Sequence, residues 1–168
     1  LERFDLERFD LLLNSFAAVG EVGLDKRGPL DLQKDVFRHV LRSCAQAPVV
    51  VSIHSAGRVS ATLELLTSAR FPAPVLHWFL GSRAELNEAV KAGAYFSVNA
   101  GMSPDLIRAM PPDRILTETD FPARRTRARR PGDTMGVEVL LAEVWQAPQD
   151  VVRHRVWVNC KELMISTG

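Results

Sequence analysis

The sequence is poor in cysteine, in long apolar runs and in net charge. Two cysteines in 168 residues exclude a small domain held together by disulfides. Cys44 and Cys160 lie in segments with helical periodicity, and we expect both to be buried free thiols in a reducing compartment. The apolar runs are far shorter than the about 18 residues of a membrane span. A net charge of +1 gives the whole molecule no bias toward polyanions.

Several sequence motifs are also absent. There is no Gly-x-Gly-x-x-Gly and no Walker loop, which argues against a nucleotide cofactor. No Gly-x-Ser-x-Gly surrounds any serine, which argues against a serine hydrolase. The N-terminal residues do not have the pattern of a signal peptide. We therefore expect a cytoplasmic protein without membrane association.

The composition that remains is that of a folded protein, with 46% hydrophobic and 24% charged residues. We expect one domain over residues 1–168. Short, uniformly apolar segments alternate with helical periodicity, which predicts parallel strands covered by helices in an α/β fold. The predicted strands are 17–23, 49–53, 74–79, 95–98 and 115–117. The predicted helices are 1–15, 30–47, 59–66, 83–91, 104–110, 136–146 and 149–164.

Side chains that bind metals lie at four of the five predicted strands. Glu21 is in the first strand, His54 ends the second, His77 is in the third and Asp120 follows the fifth. Because parallel strands end at one face, these side chains converge there. Nitrogen and oxygen ligands together suit Zn, Mn or Mg ions, which activate water and polarise esters. Taken alone, each histidine could have a structural role as a hydrogen-bonding side chain, and each carboxylate could be a helix cap or an ion-pair partner. The occurrence of such residues at four strand ends favours a metal site.

Five motifs follow one another in this strand context. They are Gly-Glu-Val-Gly-Leu-Asp at 20–25, Ser-Ile-His-Ser at 52–55, Leu-His-Trp-Phe-Leu-Gly-Ser at 76–82, Tyr-Phe-Ser-Val at 95–98 and Thr-Glu-Thr-Asp-Phe-Pro at 117–122. In wording and order they resemble the TatD family of metal-dependent deoxyribonucleases. The second and third motifs are similar to those of the QatD component of Qat anti-phage systems.

The resemblance implies an amidohydrolase-type TIM barrel with two divalent ions, Mg, Mn or Zn. It implies that Glu21 bridges the ions and that His54 and His77 complete one of them. Asp120 would bind the other ion and accept the proton of the attacking water, which makes Asp120 and Glu21 the expected catalytic residues. Glu118 and Asp25 would support the ligands without binding an ion.

The sequence departs from the family at one point. The family begins with a strand that carries a His-x-His pair, two ligands of the Asp120 ion, and no such pair occurs here. The remaining histidines, His39 and His154, lie in predicted helices, where we expect surface or packing roles. A complete barrel needs roughly 250 residues. The resemblance implies that the five strands correspond to the third to seventh of a barrel that is incomplete in this chain, and we expect one ion site to be incomplete. We interpret the sequence as part of a longer protein or as a truncated one.

A basic stretch follows the fifth motif. It has five arginines within seven residues, Arg124, Arg125, Arg127, Arg129 and Arg130. Guanidinium groups match phosphate oxygens, and we expect Arg124, Arg125 and Arg127 to bind a nucleic-acid backbone. Arg58 could reach another phosphate, and Trp78 could stack on a base. The alternatives are a solvated loop for the arginines and a place in the core for Trp78.

The expected function is metal-dependent hydrolysis of DNA phosphodiesters, with a role in anti-phage defence. One alternative is a catalytically impaired scaffold subunit with protein partners in a defence complex. The other is a metal hydrolase of a non-nucleic substrate, because barrels support many chemistries. The sequence leaves the metal and the oligomeric state open.

Overall fold

A computed structural model describes residues 4–126 and 128–167. Strands and helices alternate along the chain, as the apolar periodicity predicts. The strands are β1 (Ala18–Gly23), β2 (Val50–His54), β3 (Val75–His77), β4 (Tyr95–Val98) and β5 (Ile115–Thr117). The helices are α1 (Leu6–Leu13), α2 (Leu30–Cys44), α3 (Val59–Ala69), α4 (Arg83–Lys91), α5 (Pro104–Ala109), α6 (Met135–Trp145) and α7 (Gln149–Thr167), with short 3-10 turns at Pro112–Arg114 and Arg124–Thr126.

The five strands form one parallel sheet in the order β1-β2-β3-β4-β5. This sequential order is that of a (β/α) barrel, whereas doubly wound sheets reverse the strand order at a switch point. Within the described residues, β1 and β5 form the two edges of the sheet. The expected α/β fold, a set of parallel barrel strands with covering helices, is confirmed.

The two faces of the sheet differ. Ile53, Leu76, Phe96 and Ile115 are paired in register across four strands and are almost completely buried under the helices. The opposite face carries Val75 and Tyr95 near the strand starts, packed against Leu163 of α7. Polar side chains follow on this face toward the strand ends, because residues two apart on a strand share a face.

The predicted third strand extends too far. β3 ends at His77 because Trp78 adopts a left-handed backbone conformation with φ of 38°, which a strand cannot continue. Phe79 then turns into the core and is fully buried. The predicted burial of both cysteines is also wrong in part. Cys44 and Cys160 are free, but Cys160 is exposed because it lies on the outer face of α7, while burial raises the pKa of the Cys44 thiol to about 11.

In the described part of the chain, no helix combines the length and apolar character that crossing a membrane requires.

Candidate metal centre

Three of the predicted ligands meet at the carboxyl ends of the strands. One donor atom each from Glu21, His54 and His77 lies within 4.8 Å of the other two. His54 Nδ1 contacts Glu21 Oε1 directly, and His77 Nε2 lies 3.4 Å from Glu21 Oε2. Asp120 Oδ1 lies 3.5 Å from the same His77 nitrogen. The four side chains proposed from the sequence are therefore neighbours.

The backbone of β1 explains how Glu21 reaches the histidines. The pairing of β1 with β2 shifts between Val19 and Val22, so that two residues of β1 oppose Ser52 alone. Such a bulge changes the direction of a side chain next to a functional site. A Cβ atom on Gly20 would lie 2.8 Å from the Ser52 Cβ, so only glycine permits this close approach.

The two histidines end neighbouring strands, and their rings lie nearly parallel, with centroids 6.3 Å apart. Each ring has one nitrogen fixed by a carboxylate. His54 Nε2 lies 2.8 Å from Asp25 Oδ2, and His77 Nδ1 lies 2.7 Å from Glu118 Oε2. The remaining nitrogens, His54 Nδ1 and His77 Nε2, both face Glu21. A carboxylate behind each imidazole is the usual arrangement of metal-bound histidine, so these residues fit a divalent ion.

Asp25 and Glu118, the two carboxylates expected beside the ligands, each lie against one of the two histidines. Asp25 is held by Arg27, which donates from its backbone N at 2.6 Å and from Nε and Nη2 at 2.8 Å each. Glu118 accepts hydrogen bonds from Ser97 Oγ and, at 2.8 Å, from Asn99 Nδ2. Both carboxylates are therefore fixed before any ion binds.

The sequence did not reveal Arg27, Ser97 and Asn99 as parts of this network. Ser97 and Asn99 are two residues apart in and after β4, and Ser97 pairs in register with His77. This spacing of two was the available signal, since it places both side chains on the face of the histidines. Arg27 gave no signal, because its contact depends on the conformation of the loop after β1.

The cluster changes the proton affinity of its members. The hydrogen bond to Glu21 raises the pKa of His54, and the same bond lowers the pKa of Glu21. Burial acts to lower the pKa of His77, but the hydrogen bond and charge of Glu118 raise it overall. Hydrogen bonds from Arg27 hold the pKa of Asp25 far below its usual range. Burial raises the pKa of Asp120, which unlike Asp25 has no arginine bound to it in the described structure.

The site opens into a cleft of about 530 Å³, here called the site cleft. Besides the four candidate ligands and Asp25, its lining includes Lys26, Arg27, Trp78, Leu80 and Arg125. The cleft therefore combines basic and apolar side chains with the acidic candidate ligands. Trp78 is half-buried at the cleft wall rather than enclosed in the core.

The basic stretch is only partly placed at the site. Arg125 lines the site cleft and is exposed, whereas Arg124 is exposed outside that lining. Arg129 is bound to Asp133 through Nε at 3.0 Å. Arg127 lies outside the described residues. The loop therefore presents one of the three predicted backbone-binding arginines to the cleft in the part that the structure describes.

Three other residues singled out from the sequence, Arg58, His39 and His154, lie away from the candidate ligands. Arg58 lines a neighbouring cleft instead of the site cleft. His39 Nε2 lies 2.8 Å from Asp10 Oδ2 between α1 and α2, and His154 stacks on Trp157 in α7. Both histidines have the surface or packing positions expected of them.

Known proteins are similar to this chain in sequence and in architecture. A metal-dependent hydrolase of Bacillus subtilis, YabD, which is itself uncharacterized, is 30% identical over 117 residues, which cover 62% of this chain and 46% of that protein. The 3'-5' ssDNA/RNA exonuclease TatD of Pectobacterium carotovorum is 32% identical over 127 residues, which cover 68% of this chain and 49% of the exonuclease. The chain thus spans about half the length of these relatives.

The crystal structure of YJJV, a TatD homologue from Escherichia coli, superposes with a TM-score of 0.83 and 22% identity, covering 96% of this chain and 71% of that one. A TatD-family hydrolase from Entamoeba histolytica gives a TM-score of 0.75 at 16% identity, covering 94% and 66%. These likenesses support the barrel architecture. Residues 2–164 match the family described as TatD related DNase. The chain belongs to the TatD-related DNase family.

Proposed function

We propose that this protein is a divalent-metal-dependent nuclease that hydrolyses phosphodiester bonds of single-stranded DNA. The observation that carries this proposal is the pair of histidines, each with one ring nitrogen fixed by a carboxylate and the other facing Glu21. Family membership agrees with it, since a relative is named as an exonuclease of single-stranded DNA and RNA.

Glu21, His54 and His77 are the residues that hold the ion in this proposal, the two histidines through Nδ1 and Nε2 respectively. When bound, a divalent ion lowers the pKa of a water molecule and polarises a phosphoryl oxygen. Asp25 and Glu118 keep the imidazoles oriented with their free nitrogens toward Glu21. The ligands are thus arranged in advance of binding.

Asp120 is the proposed acceptor for the proton of the attacking water. Its Oδ1 lies 3.5 Å from His77 Nε2, at the edge of the ligand set. Its backbone φ of 44° is a left-handed conformation, which aspartate tolerates better than most residues. Strained backbone of this kind is concentrated at functional sites, where the surrounding structure maintains it.

The site cleft provides groups for the substrate. Lys26 and Arg125 supply positive charge, which suits the phosphates on either side of the scissile bond. The half-buried Trp78 offers an aromatic face on which a base can stack in single-stranded substrates. These groups contact a strand without reading its base sequence. We assign Arg124, which is exposed in the same loop, to phosphate binding as well.

We further propose that this sequence provides one full three-ligand site and an incomplete second one. Its four histidines are His39, His54, His77 and His154, and none forms a His-x-His pair. Asp120 therefore has no histidine partners of its own in the sequence.

The test is hydrolysis of an end-labelled single-stranded DNA with Mg²⁺, Mn²⁺ or Zn²⁺, compared with RNA, duplex DNA and small esters. The same protein is titrated with each ion by calorimetry. His77→Ala and Glu21→Gln should abolish cleavage and weaken ion binding, while the matched control His154→Ala should do neither. Cleavage that survives EDTA or the Glu21→Gln change would contradict the proposal. Tight ion binding without cleavage of any substrate would favour the scaffold alternative instead.

A further inference from the structure

A second cleft of about 430 Å³ lies beside the site cleft. Its walls are the start of α3, the turn after Phe79 and one side chain of α4. We call it the Arg58 cleft, and it is lined by Gly57, Arg58, Val59, Ser60, Ala61, Leu80, Gly81 and Glu85. It has no part in the metal centre described above.

The two clefts are adjacent. Leu80 lines both of them, and its side chain is 60% exposed at the boundary. The loop between β2 and α3 also joins them, since Ala56 lines the site cleft and Gly57 lines the Arg58 cleft. A chain molecule whose reacting bond lies at the ligands can therefore continue over Leu80 into the second cleft.

The guanidinium of Arg58 has unused hydrogen-bonding capacity. Its Nε is inaccessible to solvent and has no hydrogen-bond partner among the described residues. No ion pair of Arg58 occurs in the described structure either, although this side chain is partly buried. An unsatisfied buried donor is costly in a native protein, so the described protein groups leave the Arg58 guanidinium incompletely satisfied and its charge unpaired.

We propose that the Arg58 cleft binds a second phosphodiester of the nucleic-acid strand, adjacent to the bond that is cleaved. This inference rests on the proposed nuclease function and extends it. A guanidinium is suited to phosphate oxygens in geometry and charge. Arg58 thus makes the enzyme prefer substrates with at least two phosphodiesters over dinucleotides and small phosphate esters.

One acidic group faces the same cleft and opposes a phosphate there. Glu85 accepts hydrogen bonds from Ser60 Oγ at 2.6 Å and from Ser82 N and Oγ at 2.7 and 2.8 Å. These donors direct its carboxylate toward the starts of α3 and α4 and reduce its repulsion of an anion. A Glu85→Gln change keeps the residue type that a capping box accepts while removing the charge. It should therefore strengthen the binding of a second phosphate.

The experiment measures dissociation constants by fluorescence anisotropy for labelled deoxydinucleotides and deoxytrinucleotides, in EDTA and again with Ca²⁺. Each phosphodiester of the trinucleotide is also replaced in turn by an uncharged methylphosphonate. Arg58→Ala should weaken trinucleotide binding about tenfold or more, as the loss of one hydrogen bond to a charged group predicts, and leave dinucleotide binding unchanged. In this variant, a methylphosphonate at the second position should cause no additional loss. Arg58→Lys should recover part of the affinity.

Arg42→Ala is the matched control, because Arg42 is an exposed arginine in the last turn of α2. If Arg58→Ala behaves like this control while the wild-type protein binds and cleaves DNA, the inference is overturned and the nuclease proposal stands. Equal weakening for both oligonucleotide lengths would also overturn it, since that is the effect of general damage. If the wild-type protein neither binds nor cleaves any oligonucleotide, both proposals fail.

Discussion

Asp25 Oδ2 lies 2.8 Å from His54 Nε2, so the nitrogen of His54 that faces Glu21 is fixed from behind. We expect Asp25→Ala to weaken divalent-ion binding by about 10- to 100-fold, the usual cost of losing a partner that orients a ligand. Isothermal titration calorimetry measures this. Asp31→Ala, which alters an exposed carboxylate in the first turn of α2, is the control. Equal affinities for the two variants would show that Asp25 does not orient His54.

Arg27 holds the carboxylate of Asp25, which in turn holds His54. Because it donates three hydrogen bonds to Asp25 and does not contact His54, its effect on the ion is indirect. Arg27→Ala keeps the backbone donor and should weaken ion binding less than Asp25→Ala does. The same titration orders the two variants, and a larger effect for Arg27→Ala would contradict the order of the contacts.

Glu118 has the corresponding position behind His77. Its carboxylate accepts from His77 Nδ1, Ser97 Oγ and Asn99 Nδ2. A glutamine amide has one acceptor oxygen and two donor hydrogens, so Glu118→Gln leaves some of these three donors without an acceptor. We expect weaker ion binding and a loss of about 1–3 kcal/mol in the free energy of unfolding.

Calorimetry and urea denaturation measure the two effects separately. Glu64→Gln, on the exposed side of α3, is the control and should change neither quantity. A Glu118→Gln variant with normal stability and normal ion affinity would mean that the carboxylate does not hold His77.

The sequence predicted those parts of the site that follow from strand ends. Glu21, His54, His77 and Asp120 could be grouped without knowing any distance, because parallel strands end at one face. The spacing of two places Ser97 and Asn99 on one face, but their contacts with Glu118 depend on the register between neighbouring strands. The Gly20 bulge that directs Glu21 is likewise a property of strand pairing.

Loops limited the remaining predictions. The third strand stops early because Trp78 has a positive φ, which no propensity of tryptophan indicates. Arg58 follows His54 closely in sequence, but the loop directs it into a neighbouring cleft. Resemblance to a family does not decide the anti-phage role, the single-domain boundary or the cytoplasmic location, and these stay predictions.

The arginine loop after β5 should contribute to the salt dependence of DNA binding. Arg124 and Arg125 are exposed, and Arg125 lines the site cleft. Each phosphate contact on a single strand contributes about 0.7 to the slope of log K against log salt. If each arginine contacts one phosphate, Arg124→Ala combined with Arg125→Ala should therefore flatten this slope by about 1.4. Fluorescence anisotropy over a series of salt concentrations gives the slope.

Arg129→Ala is the control for this measurement, because Asp133 binds the Arg129 guanidinium. It should change the slope less than the double variant. An unchanged slope in the double variant would remove these two arginines from the DNA-binding surface.

Asp10 of α1 contacts His39 and Ser43 of α2, and its charge should make the stability of the fold depend on pH in the acidic range. A hydrogen bond from Ser43 has the largest effect and lowers the pKa of Asp10, burial acts next to raise it, and His39 lowers it further, so that the pKa is lowered overall. A carboxyl whose pKa is lower in the folded state stabilises the fold above its unfolded value near 3.8 and loses this contribution as the pH falls through the folded pKa. Asp10→Asn should thus lower the melting temperature at neutral pH, and the difference from wild type should disappear in strong acid.

Thermal melts over a pH series measure the difference. The exposed Asp113 provides the control, and Asp113→Asn should leave the melting temperature close to that of wild type at each pH. A destabilisation of Asp10→Asn that persists unchanged in strong acid would show that the Asp10 charge is not its cause.

Asn159 should fix the C-terminal helix to the sheet. It is 1% exposed, and its Nδ2 donates to the carbonyl oxygens of Pro112 at 2.8 Å and Ile115 at 2.7 Å, so α7 is tied to the start of β5. Asn159→Ala removes the donor that both carbonyls share and should lower the free energy of unfolding by about 1–3 kcal/mol. Asn159→Asp should be at least as harmful, because an ionised carboxylate donates no hydrogen bond and is buried here. Urea denaturation gives these values, and Asn87→Ala on the exposed side of α4 should cause no loss. Wild-type stability of Asn159→Ala would mean that apolar packing alone holds α7 in place.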